Sequence, residues 1–287
     1  MQRAQAVLVP LTFALITSSA LAQISLTDDL NRTITLPSPA QRIVSLAPSI
    51  TETLFALGAG DRIIGVTDYC NFPEEAKTKQ RVGGLVNPSI EKIVSLGPDL
   101  IVMTTEGNLQ EDFKRLESLG VPVFVTNPRT LEGIYKSTTD LGMLSGEMER
   151  ALHVVSNMRQ RVEGIRSHQA QRSKAMLVVS LHPLMVVGSG TFLAEVLDLA
   201  GGDNVAAGTG LTYPTFSREA VVAADPEVLI LTSDIFLNQE DLLRVYPEWR
   251  NLRAFRNARV FPIDADLISR PGPRVIDGLE ALHRILR

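Results

Sequence analysis

The sequence predicts an α/β protein built as two doubly wound lobes joined by one long α-helix, with a cleft between the lobes. Three observations carry this. First, one pattern occurs twice: Ser89-Ile-Glu-Lys-Ile-Val-Ser-Leu-Gly-Pro-Asp-Leu-Ile-Val102 returns as Ser217-Arg-Glu-Ala-Val-Val-Ala-Ala-Asp-Pro-Glu-Val-Leu-Ile230, with Ser, Glu, Pro and the acid after Pro at identical offsets. Each copy reads as a short capped helix running into a buried strand. Second, an upstream pair repeats as well. Arg42-Ile-Val-Ser-Leu-Ala-Pro48 leads to a helix ending Leu57-Gly-Ala-Gly-Asp61, and Val178-Val-Ser-Leu-His-Pro183 leads to one ending Leu199-Ala-Gly-Gly-Asp203. The order of elements is thus duplicated, not only a local motif. Third, no strand candidate occurs between about residues 131 and 173, where a run of helix formers extends from Glu147 to Gln171. Its Leu152, Val155, Met158, Val162 and Ile165 recur at three- and four-residue steps and form one apolar stripe. About 24 helical residues span roughly 36 Å, which suits a strut between lobes. The stretch is not rich in the Gly, Ser or Pro of a flexible linker, so little hinge motion is expected.

In chain order, Gln23 to Pro39 alternates partially around Asp28-Asp29 and predicts a hairpin. Strands are predicted at Ile43–Leu46, Ile63–Val66, Leu100–Met103 and Val121–Val125, where short apolar runs are bounded by turn residues. Helices fall between them at Thr51–Leu57, Ile90–Leu96 and Leu109–Leu119, the last stopped by Gly120 and Pro122. After the strut the alternation resumes with strand Ala175–Val179, the short apolar pair Val186-Val187, and helices Phe192–Leu199 and Arg218–Ala223. Strand Val228–Leu231, helix Asp241–Tyr246, strand Val260–Pro262 and a last helix from about Pro273 to Leu286 complete it, with Pro273 suited to a helix start. Strands alternating with helices make largely parallel sheets. The expected organisation is therefore a signal segment 1–22, a first lobe 23–145, the linking helix 146–172 and a second lobe 173–287.

The signal assignment rests on three features of residues 1–22. Arg3 is their only charge, Ala6 to Thr17 is mostly apolar, and Ala20-Leu-Ala22 is a small-x-small cleavage site. The segment is too short for a membrane anchor, and no later apolar stretch approaches the roughly 20 residues needed to span a bilayer. Its removal takes away one Arg and no acid, leaving the mature chain one unit more negative than the −4 of the whole. Such a balance does not suit a nucleic-acid surface. The single cysteine, Cys70, cannot pair within the chain, and no cysteine follows the cleavage site to carry a lipid. A soluble, monomeric protein of a bacterial periplasm is expected, with Cys70 as a small buried residue beside Tyr69.

Known catalytic signatures are missing. There is no G-x-S-x-G elbow, P-loop, H-E-x-x-H or G-x-G-x-x-G in the chain. None of His153, His168, His182 and His283 has a partner at chelating spacing, so neither an enzyme nor a resident metal or cofactor is expected. Competing classes are an α/β enzyme with an unrecognised nucleophile, which would turn its ligand over, and an adaptor domain, which would bind a partner and no small ligand. Aromatic residues make up only 5% of the chain, so their positions inform. Tyr69 and Tyr213 sit in loops at strand-to-helix junctions, where ring faces can line a pocket for a large flat ligand. Asp266 and Arg270, four apart in a dense polar loop that ends at Arg274, either pair with each other or present an acceptor and a forked donor to amide or phosphate groups. Glu91 and Glu219, the repeated acids, lie in the first turns of their helices. They complement the helix dipole there, and as a matched pair they also suit a partner with a twofold arrangement of basic residues.

These segments resemble the periplasmic substrate-binding proteins of ABC importers for cobalamin, haem and ferric siderophores, a class with two lobes joined by one long helix. The resemblance covers about Arg42 to Arg287. It is carried by Arg42-Ile-Val-Ser-Leu-Ala-Pro-Ser-Ile-Thr-Glu52, Gly65-Val-Thr-Asp-Tyr69 with Pro73, Ser89 to Val102, Tyr213-Pro-Thr-Phe-Ser-Arg-Glu219 and Asp266 to Arg274, and it is nearest to the cobalamin-binding members. It implies that Tyr69 contributes to a corrin pocket, that Tyr213 stands where the family places an aromatic residue, and that Asp266 and Arg270 reach the polar edge of the ligand. It implies further that Glu91 and Glu219 dock onto arginines of a transmembrane permease dimer. Cobalamin-binding members carry tryptophans near the positions of Gly84 and Thr104, whereas the only tryptophan here is Trp249. Haem, with Tyr69 or His182 as axial ligand, and ferric siderophores, neutralised by Arg129, Arg270 and Arg274, are the alternative ligands.

Overall fold

The computed structural model describes residues 23–167, 172–236 and 238–287; the expected signal segment and the end of the expected strut beyond Ser167 lie outside the described residues. In the first lobe a hairpin of β1 (Ile24–Thr27) and β2 (Thr33–Leu36) leads into β3 (Ile43–Ser45), α1 (Pro48–Ala56), β4 (Ile63–Val66) and β5 (Gln80–Arg81). It continues through α2 (Ile90–Ser95), β6 (Leu100–Thr104), α3 (Gln110–Ser118) and β7 (Val123–Thr126). Two helices follow, α4 (Leu131–Ser145) and α5 (Met148–Arg166). The second lobe runs β8 (Ser173–Leu181), β9 (Leu184–Val186), α6 (Phe192–Leu199), β10 (Gly202–Asn204), α7 (Arg218–Ala224) and β11 (Val228–Thr232). It ends with α8 (Gln239–Val245), α9 (Arg253–Arg256), β12 (Val260–Ile263), α10 (Ala265–Ser269) and α11 (Val275–Leu286).

The first sheet has the order β5-β4-β3-β6-β7, all parallel. The second has the order β10-β8-β11-β12, parallel, with β9 antiparallel to β8. Four strands therefore correspond one to one, β4-β3-β6-β7 with β10-β8-β11-β12. The duplicated segments are the equivalent units α2–β6 and α7–β11. In each the repeated serine caps its helix: the hydroxyl oxygen of Ser89 accepts from the backbone N–H of Lys92 at 3.3 Å, and that of Ser217 from Ala220 at 3.1 Å. Both faces of each sheet are covered. Separate apolar clusters lie under α1 and under α2 with α3 in the first lobe, and under α6 with α11 and under α7 with α8 in the second. This is why the central strands read as continuous apolar runs.

The strut differs from the expectation in two respects. The linking helix α5 has 19 residues, about 28 Å, and α4 lies antiparallel along it. Tyr135 and Glu132 of α4 meet Arg159 of α5, the first through its ring at 4.6 Å and the second by an ion pair at 2.6 Å, while a Cβ on Gly142 would lie 2.4 Å from that of Ala151. Leu152 of the expected stripe is 55% exposed, and Ala151 is buried in its place. Helix α1 starts at Pro48 rather than Thr51, a proline being well suited to the first helical turn. The polar loop expected at Asp266 is helix α10, whose first N–H groups are accepted by the carboxylate of Asp264.

The reversal between α4 and α5 depends on Gly146, which has φ +75° and would place a Cβ 2.9 Å from that of Pro39. Gly146→Ala is expected to destabilise the protein by about 1–2 kcal/mol for the left-handed backbone, more if Pro39 cannot shift. Chemical denaturation would check this.

Candidate functional site

Open parallel sheets bind ligands in crevices at the carboxyl ends of strands, where the strand order reverses. In the first lobe that point is β3, which lies between β4 and β6. The C-terminal ends of these three strands and the residues that follow them carry Ala47 to Ser49, Tyr69, and Thr104 with Glu106. Together with Ser269, Arg270 and Pro271 of the second lobe, they line a cleft of about 270 Å³ between the lobes. Tyr69 is 59% exposed there. The loop that carries it is pinned from beneath, because the Cys70 thiol is fully buried and accepts from the Thr51 hydroxyl at 3.2 Å. Arg81 Nη1 also donates to the carbonyls of Thr67 and Cys70.

Asp266 and Arg270 come together, and they meet the first lobe. Arg270 Nη2 pairs with Asp266 Oδ1 at 2.6 Å, and Nη1 pairs with Glu52 Oε1 at 2.6 Å. Arg274 Nη1 reaches the same Glu52 oxygen at 3.1 Å, and its guanidinium lies 3.7 Å over the Phe72 ring. Asn71 accepts from Arg270 Nη1 at 2.7 Å and donates to Asp266 Oδ2 at 3.0 Å. The side chain of Glu52 is 2% exposed and its Oε2 has no hydrogen-bond partner among the described residues. Burial pushes its carboxyl above the usual range, against the pull of the two arginines. Glu52 and Asn71 are the residues that sequence reasoning missed. The available signal was an acid within the buried helical run Ile50 to Leu54, which requires a partner; nothing local names that partner.

Tyr213 lies beyond the residues that line this 270 Å³ cleft, near Glu106 at its edge. It lies close enough to Glu106 and Arg129 to feel both charges, and burial pushes its hydroxyl upward, followed by Glu106. The segment that holds it hydrogen-bonds alongside the residues after β9, with Gly188 N–H donating to the Thr212 carbonyl and Ser189 N–H to that of Leu211. A Cβ at Gly188 would lie 1.9 Å from the Leu211 oxygen, so only glycine permits this approach. His182 is an exposed residue in the turn between β8 and β9. Trp249 is fully buried and stacks on Tyr246 at 4.2 Å, away from the cleft. Gly84 lies 3.9 Å from the Tyr69 ring by its Cβ direction, and Thr104 is part of the cleft wall. No group of three metal-binding side chains occurs among the described residues.

Residues 43–267, which include the first-lobe cleft loops and Asp266, match the periplasmic binding protein family. The chain belongs to that family. It is 31% identical over 283 residues to the vitamin B12-binding protein of Vibrio cholerae serotype O1, covering 98% of this chain and 96% of the relative. It is also 31% identical over 270 residues to an ABC transporter substrate-binding lipoprotein of Bacillus subtilis, covering 90% and 84%. The solved periplasmic vitamin B12-binding protein of Vibrio cholerae has a TM-score of 0.78 at 31% identity, covering 86% of this chain and 97% of that one. A periplasmic haem-binding protein of Pseudomonas aeruginosa has a TM-score of 0.78 at 28% identity, covering 86% and 92%.

This periplasmic binding protein presents Glu91 and Glu219 at matching, exposed positions of α2 and α7. The carboxyl of Glu219 is held below its usual range by its own backbone N–H and then by the Ser217 hydroxyl. An acid in the first turn also complements the helix dipole. No helix among the described residues is long and apolar enough to cross a membrane.

The raised Glu52 carboxyl makes a pH prediction. Just above pH 4.5 the folded form binds more protons at this site than the unfolded chain, so stability falls as pH rises until Glu52 is ionised in both. Glu52→Gln should flatten that part of the profile, read as the unfolding midpoint against pH.

Proposed function

We propose that this periplasmic binding protein is the capturing component of an ABC importer. Its ligand is a corrinoid held by Tyr69 and Tyr213, with Asp266 and Arg270 at the polar edge, and Glu91 and Glu219 dock the loaded protein onto a permease dimer. The chain is exported on residues 1–22 and acts in the periplasm as a monomer that docks transiently. The observation that carries the ligand reading is the chemistry of the cleft, an exposed tyrosine ring on one lobe facing a guanidinium from the other. A corrinoid is a flat macrocycle rimmed with polar groups. Its ring suits an aromatic face, and its rim suits charged hydrogen-bond partners, each worth roughly 1.5 to 3 kcal/mol. The relatives named for vitamin B12 support the same reading.

The cross-cleft contact most open to a ligand is that of the exposed Asn71 with Asp266 and Arg270. A haem reading rests on the exposed Tyr69 hydroxyl, which has no hydrogen-bond partner among the described residues and is available to a ferric ion.

Titration of the mature protein with cyanocobalamin and with haemin separates the two. One-to-one corrinoid binding without a haemin response is expected, and replacing Asp266 and Arg270 together by Ala should weaken it at least about tenfold. A Soret shift with haemin that disappears in Tyr69→Phe would replace the ligand and keep the importer role.

For the docking pair, Glu91→Lys combined with Glu219→Lys should abolish transport in cells while leaving ligand affinity intact. Persisting transport would reduce both acids to complementing their helix dipoles.

A further inference from the structure

Asn71 makes a pair of hydrogen bonds with the form of ligand recognition. It is an exposed residue in the loop after β4, two positions from Tyr69, and its partners lie 195 and 199 residues away on the other lobe. Its Oδ1 accepts from Arg270 Nη1 at 2.7 Å while its Nδ2 donates to Asp266 Oδ2 at 3.0 Å. A guanidinium can only donate and an ionised carboxylate can only accept, so this orientation of the carboxamide is the one that satisfies both. Turned over, it would set donor against donor and acceptor against acceptor. Asp266 and Arg270 thus form a two-point receptor for a primary amide, and the amide seated in it belongs to the protein.

The receptor is rigid and its occupant is not. The Arg270 side chain is 11% exposed, and its two terminal nitrogens are held by Glu52 and Asp266 at 2.6 Å each. Glu52 is fixed in turn by Arg274. Asn71 stands on the wet side of a loop whose backbone is anchored through Cys70 and Arg81, so its side chain can turn away without disturbing the loop. The charges decide what replaces it. Glu52 and Asp266 already balance Arg270 and Arg274, so a neutral amide leaves the cluster neutral. A carboxylate would bring an uncompensated negative charge beside two others in a partly desolvated cleft.

We propose that Asn71 is an internal stand-in for a primary carboxamide of the ligand, displaced on binding, and that the Asp266–Arg270 pair selects amide-bearing over carboxylate-bearing ligands of the same shape. The inference rests on the corrinoid reading for the ring that the amides decorate. Corrinoids carry primary amides around the rim and haem carries carboxylates. The receptor therefore separates two macrocycles that an aromatic wall treats alike.

The test titrates the full mature chain by calorimetry with two corrinoids on one ring, cobinamide with its amides and cobyrinic acid with carboxylates in their places, and with haemin as a third probe. Cobinamide should bind at least about tenfold tighter than cobyrinic acid. Asp266→Asn, which supplies a donor as well as an acceptor, should reduce that ratio to about threefold or less. Asn71→Ala should tighten cobinamide binding about threefold by removing the internal competitor, with the ratio kept. Equal affinity for the two rings overturns the amide selection and leaves the corrinoid reading standing. Unchanged or weaker cobinamide binding by Asn71→Ala overturns the stand-in role. No response to either corrinoid, with or without one to haemin, overturns the corrinoid reading and the inference together.

Discussion

The spacing of the two lobes depends on apolar side chains that α4 and α5 lend to both cores. From α4, Leu131, Ile134 and Tyr135 pack in the second lobe and Leu141 and Leu144 in the first. From α5, Ala151 packs in the first lobe, Val155, Met158, Val162 and Ile165 in the second, and Val154 against both. Fully burying one large apolar side chain is worth about 1.5–3 kcal/mol, so pulling the lobes apart here would cost several such terms at once. The contacts across the cleft are few and polar, the buried Glu52–Arg270 pair among them, so lobe motion is confined to changes that leave the helix pair packed.

Polar contacts across the cleft suit a protein that must both hold and release. The cluster around Arg270 combines a buried acid, a half-exposed acid, two arginines and a surface amide. Burial opposes the charge on Glu52 more strongly than its arginines favour it, so the cluster keeps Arg270 aimed without locking the lobes. A ligand that offers the same hydrogen bonds exchanges one set for another, and the cost of opening is largely returned on binding.

Duplication explains why matched features occur in both lobes. Equivalent strands occupy equivalent places in the two sheets, so a serine cap and an acid in the first turn of α2 reappear in α7. An acid that stabilises its own helix remains exposed and available to a basic partner, and the two roles do not compete. What the lobes do not share is equally informative. Glu52, Asn71 and Tyr69 come from the first lobe, Asp266, Arg270 and Arg274 from the second, and the cluster joins unlike surfaces.

Local pattern was enough for the elements. Periodicity, caps and turn residues located β4 at its observed limits and α2, α3, β6, α6 and β11 to within a residue or two of theirs, because a buried strand or capped helix is specified by neighbours in sequence. The repeat also anticipated two similar α/β lobes, and their sheets share the order of four strands. The linking helix was placed from residue 146, but helix α4 before it, and hence the reversal at the left-handed Gly146, was not predicted. Tyr69, Asp266 and Arg270 were legible as residues whose chemistry suits a ligand. Their assembly was not: Arg270 meets Glu52 across 218 positions and Asn71 across 199. Sequence alone determined most of the strands and helices, the duplicated order of elements and the stock of aromatic and charged groups, all set by short-range sterics and burial patterns. Only the tertiary structure decided which acid each arginine serves and whose amide fills the receptor, because the distance between two charges depends on how the separate lobes pack.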